Sequence, residues 1–139
     1  MQYKRFGDTY AVRIDIGEEI MQELNALCAK EGILFAEVSA IGAVSHAVIG
    51  VYDLEAREYC KEELDAFMEI TSLNGSVTTM AEKPYVHLHA TLAGQDHVLH
   101  GGHALSLQVG ATCEMFVRVM DGKMDRERNE ALGINVWHF

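Results

Sequence analysis

Cysteine, proline and basic charge are all scarce in this chain, and each scarcity closes a class of function. Cys28, Cys60 and Cys113 are its three cysteines, far apart and with no CxxC pair. An odd, scattered set builds neither a disulfide framework nor a thiolate zinc site and suits a reducing compartment. There is one proline and no low-complexity tract, with 49% hydrophobic and 23% charged residues, the composition of a folded globular domain. No uninterrupted apolar run reaches the length of a membrane span, and Lys4 and Arg5 have no apolar stretch behind them. The expectation is therefore an unanchored cytoplasmic protein with no membrane partner. GxGxxG, P-loop and GxSxG motifs are missing too, which removes the usual support for dinucleotide, nucleoside triphosphate and serine-hydrolase chemistry.

Basic charge is outweighed: 11 Lys and Arg face 21 Asp and Glu, a formal net charge of -10. Such a balance repels a phosphate backbone unless the bases cluster. The densest basic group, Arg118, Lys123, Arg126 and Arg128, is interleaved with Asp121, Asp125, Glu127 and Glu130. It reads as a solvated mixed-charge surface, and direct nucleic-acid binding is disfavoured. The acid-rich stretch from Asp53 to Glu69 reads as an exposed loop or helix.

What is present is alternation. Tyr10, Val12, Ile14 and Ile16 repeat every second residue, the period of a strand with one apolar face. From Glu18 to Glu31 the period becomes helical through Ile20, Leu24, Leu27 and Cys28, with Lys30 in the last turn and Gly32 at the stop. Strands are expected over Leu34–Ala40 and Val44–Tyr52, divided by a turn at Gly42. Further strands are expected over Phe67–Leu73 and on to Met80, divided by a turn at Asn74-Gly75. Tyr85–Ala93 and His97–His100 flank the interruption Gly94-Gln95-Asp96. Leu105–Met120 is the longest late candidate, bulged near Gly110, and Asn129–Phe139 closes the chain. Many strands, one principal helix and no repeated helical crossover define an α+β fold, with a mostly antiparallel sheet or partly closed barrel, in one domain over residues 1–139.

The main chemical signal lies between Pro84 and Leu105. Val86, Leu88, Ala90 and Leu92 occupy one strand face, so Tyr85, His87, His89 and Thr91 occupy the other. His87 and His89 then stand side by side about 7 Å apart at Cα. Imidazoles can close that spacing onto one ion or form a proton-transfer site. The flexible pair Gly101-Gly102 permits a tight turn and close backbone approach that would carry His103 over the sheet beside them; otherwise His103 is a loop histidine bonded to backbone. Three neutral imidazoles with a fourth position open suit a divalent metal ion, zinc first, with nickel, cobalt and iron also compatible. His97 and His100, three apart, face opposite sides of a regular strand, so at most one readily joins. Glu114 lies on the non-apolar face of its strand, as acceptor behind a ligand histidine, as base, or as a subunit-contact residue. Glu69 is a similar candidate, and both also read as ordinary polar-face residues.

Taken together, Arg13, Gly17-Glu18, Ala40 to Ala43, Glu69 to Gly75, Pro84 to Ala90, Gly101-Gly102-His103 and Glu114 resemble the plant and prokaryote conserved (PPC) domain in its free-standing microbial form. Ala104 departs from the leucine that members commonly place after the GGH histidine. The resemblance implies an α+β fold assembled as a homotrimer, with a metal held by His87, His89 and His103. In plants the domain accompanies a basic AT-hook and supports protein association; no Arg-Gly-Arg-Pro hook occurs here. The expected function is a metal-binding homo-oligomeric domain with a regulatory or protein-association role. The alternatives are a small metal-dependent hydrolase or lyase, or a DNA-associated protein.

Overall fold

Every residue from Met1 to Phe139 is described by the computed structural model. Its elements are β1 (Gln2–Phe6), β2 (Thr9–Asp15), α1 (Ile20–Glu31), β3 (Ala36–Asp53), β4 (Glu58–Leu64), β5 (Met68–Met80), β6 (Lys83–Ala93), β7 (Leu99–Val119), β8 (Asp125–Asn129) and β9 (Ile134–His138). The fold is α+β. All strand pairs are antiparallel except one parallel bridge, Thr79 with Asp125, between β5 and β8. β3 pairs with β5, β5 with β6, β6 with β7, and β7 with β3, so hydrogen bonding runs partly round a ring.

The helix forms where its period predicts. Glu19 caps it, its carboxylate accepting from the backbone N–H of Gln22 at 2.8 Å and also from that of Leu107 at 2.9 Å. Gly32 ends it in the left-handed conformation at φ 66°. Ile20, Leu24, Leu27 and Cys28 are its buried stripe, and they join one apolar cluster with Leu88 and Leu92 of β6 and Leu107 of β7. Burying each such leucine contributes roughly 1.5–3 kcal/mol. That packing holds one face of β6 inward and turns the opposite face out.

Three glycines expected in turns are instead points of strand contact. β3 is continuous through Gly42, where its register with β5 and β7 shifts; a Cβ there would lie 2.2 Å from the carbonyl oxygen of Thr112. Asn74-Gly75 lies inside β5, and a Cβ on Gly75 would lie 1.9 Å from the carbonyl oxygen of His87. Gly102 is extended in β7, where a Cβ would meet the Gly50 carbonyl oxygen at 2.7 Å. Glycine's missing side chain serves close backbone approach at these positions. The β5–β6 turn is Ala81-Glu82, with φ of 50° and 63°, a conformation usually given to Asn-Gly. The acidic stretch supplies β4, an exposed strand on β3, in place of a loop or helix. No helix is long and apolar enough to cross a membrane.

Candidate metal centre

His87 and His89 leave β6 on its outward face, as the alternation requires, while Leu88 and Ala90 between and beyond them are buried. His103 reaches them without a turn: β7 lies beside β6 with His103 directly opposite His89. The close approaches at Gly75 and Gly102 seat the two neighbouring strands under this pair. The three rings are packed at centroid separations of 5.2, 5.0 and 5.4 Å. One nitrogen from each lies within 4.8 Å of the others, close enough for one ion at ordinary zinc–imidazole distances of about 2.0–2.1 Å after small ring adjustments.

The surroundings of His87 and His103 favour their neutral form. Nδ1 of His103 is buried and has no hydrogen-bond partner, a costly condition for a polar atom and one that a metal would relieve. Burial, followed by the charges of His103, Arg126 and His89, holds His87 down to about 4. Burial also lowers His103, with His89 and Arg126 adding to it. Tyr59 of β4 stacks on His103 at 4.9 Å and 25° between planes. The donor set thus fits a divalent metal, with His87, His89 and His103 as the residues that would hold it.

Arg126 is the residue that composition conceals. Its Nη2 donates to Nδ1 of His87 at 3.2 Å, Nε to the Thr78 hydroxyl at 2.9 Å, and Nη1 to the carbonyl of Asn135 at 2.9 Å. Its guanidinium also lies 4.8 Å above the ring of Tyr85. The basic group around it is therefore not wholly a solvated surface: Arg118 pairs with Glu37 and Lys123 with Glu82 and Asp125, whereas Arg126 turns toward the histidines. The parallel bridge at Thr79–Asp125 ties β8 to β5 and brings Arg126 there. Arg126 and Arg128 stand two apart on β8 but alternate with Asp125, Glu127 and Asn129 rather than with apolar residues, so no apolar face directs them, and Tyr52, Tyr59 and Asn135 carry no signal either. The two arginines, Tyr52, Tyr59 and Asn135 help wall a cavity of about 530 Å³ that includes all three histidines.

The other candidates lie elsewhere. Glu114 lines a second cavity, about 710 Å³, together with Arg13, Ile41, Asn74 and Phe116. That cavity begins at Asn74, which is paired with His89, but from His89 to Phe116, two residues from Glu114 on β7, the register passes Asn74 and Ser39, three strand spacings or roughly 14 Å. Glu69 is exposed on β5 opposite Ala93 and lines neither cavity. His100 contacts Glu62 at 3.1 Å and His97 sits in the β6–β7 loop; neither lines the triad cavity.

Similar structures span the chain. A structure from Archaeoglobus fulgidus described as a metal-containing protein is 37% identical, covers 100% of this chain and 99% of its own, and superposes at a TM-score of 0.90. One from Bacteroides thetaiotaomicron, described as a "putative DNA binding protein", is 32% identical over 99% and 96% of the two chains, with a TM-score of 0.96. That description lends no support to the charge-based expectation against nucleic-acid binding. A plant- and prokaryote-conserved protein from Pyrococcus horikoshii is 28% identical over 99% and 94%, at 0.88. No curated protein gives a significant match. The Plants and Prokaryotes Conserved domain family matches residues 1–121. With that match and the likeness of fold and sequence along its length, the chain belongs to the Plants and Prokaryotes Conserved domain family.

Proposed function

We propose that this protein is a metal-binding, self-associating domain with a regulatory or protein-association role, holding one divalent ion on His87, His89 and His103. The observation that carries the reading is the convergence of three imidazole nitrogens within 4.8 Å. Zinc is the first choice because it accepts three neutral imidazoles and an open fourth position. The metal-containing description of the Archaeoglobus relative supports the class of ligand. The three free thiols suit a reducing compartment, and we place the protein in the cytoplasm. Self-association, as a homotrimer, would cover the outward face on which Ile41 and Phe116 are 60% and 59% exposed.

The competing reading is a small metal-dependent hydrolase or lyase, favoured by the cavity that opens at the triad beside Arg126. Glu114 and Glu69 lie outside that cavity, so a base there would come from another group. Association with DNA, supported by the description of the Bacteroides relative, is distinguished by anisotropy titration of a labelled duplex at low and high salt. Zinc titration of chelator-treated protein by calorimetry tests the metal reading. Saturation near one ion per chain is expected, and no saturable heat would refute it.

A further inference from the structure

In a chain of -10 net charge, the cavity at the histidines is lined by no aspartate or glutamate. Its charged side chains are Arg126 and Arg128, and its walls include the rings of Tyr52, Tyr59 and Tyr85. Neither arginine takes part in an ion pair, although the neighbouring Lys123 is paired and Glu127, between them, pairs with His138 on the other side. A surface that keeps carboxylates away from two cations, beside an apolar aromatic wall, is built for an anion with an organic body.

A guanidinium has five N–H donors and no acceptor, and Arg126 uses three of them on Thr78, Asn135 and His87. Nδ1 of His87 must therefore present its lone pair to Arg126. An ion bound at Nδ1 takes that lone pair. An ion bound at Nε2 leaves the ring proton on Nδ1, facing an arginine N–H. In either case the Arg126–His87 bond is given up and an N–H is released beside the ion.

We infer that the cavity binds a small organic carboxylate, one oxygen on the metal's open position and the other on Arg126, with Arg128 adding charge at the rim. The inference rests on the metal reading above. Carboxylate is chosen over phosphate because the rings of Tyr52, Tyr59 and Tyr85 make up so much of the wall, which suits an organic body better than a fully hydrated inorganic anion.

Cobalt(II) replaces zinc in such sites and reports its ligands through visible absorption. The test is to load the protein with cobalt and titrate lactate, inorganic phosphate and chloride in separate arms. A saturable spectral change with lactate, at least tenfold tighter than with phosphate, is expected. Read on cobalt-loaded protein, Arg126→Gln should weaken lactate at least tenfold. Arg128→Gln, at an exposed side chain that makes no hydrogen bond, should weaken it severalfold without disturbing the fold. A fully loaded protein whose spectrum ignores lactate, or favours phosphate, would overturn the carboxylate site and leave the metal centre standing. Failure to load cobalt at all would overturn both, and unchanged lactate affinity in both variants would remove the arginines from it.

Discussion

Arg126 and His87 come from distant parts of the chain, yet the guanidinium of one donates to Nδ1 of the other at 3.2 Å. Burial is the main effect opposing protonation of that histidine, and the neighbouring His103 and the permanent cation at its nitrogen add to it. His87 accordingly sits at about 4, below the ordinary imidazole value of about 6.5.

A pH dependence follows for the metal-free protein. The folded value lies below the unfolded one, so above pH 6.5 the ring is neutral in both states and its full contribution to stability is present. As pH falls, the unfolded chain takes the proton first, and stability is lost from about pH 6.5 down to about 4. Discounted for solvent screening, the loss is on the order of 1 kcal/mol. Urea unfolding at pH 7 and pH 5 should show it, and His87→Gln should flatten the slope. Identical slopes in the two proteins would remove His87 as its source.

Gly75 gives a second prediction. Because a Cβ there would stand 1.9 Å from the His87 carbonyl oxygen, Gly75→Ala must push β6 away from β5. A loss of about 2–4 kcal/mol in unfolding free energy is expected, by analogy with overpacked cores, together with weakened metal binding. A change within about 0.5 kcal/mol would show that the strands separate freely.

Self-association is tested at Phe116. Placing a charge on this exposed ring, as Phe116→Asp, should lower the mass seen by sedimentation from the trimer to the monomer while circular dichroism is retained. A parent that sediments as a monomer at micromolar concentration would refute the assembly.

Much of the centre was legible because alternation has a direction. Val86, Leu88, Ala90 and Leu92 point inward, so the orientation of His87 and His89 follows from local order alone. His103 was legible by type, but its path was not: Gly101-Gly102 reads as a turn, and only the pairing of β7 with β6 and β3 shows these glycines giving room to neighbouring backbone. The same confusion arises at Asn74-Gly75, since a glycine that frees φ and one that makes space have the same letter. Arg126 was hidden for another reason. Its charge is balanced by neighbours in sequence, while its partners Thr78, His87 and Asn135 are set by tertiary pairing.

Metal content tests the central claim most directly. Elemental analysis of protein purified without added metal, alongside His87→Ala and His103→Ala, should find close to one divalent ion per chain in the parent and almost none in either variant. Undiminished metal in both variants, or a metal-free parent that takes up no zinc when it is supplied, would contradict the assignment of His87, His89 and His103 as its ligands.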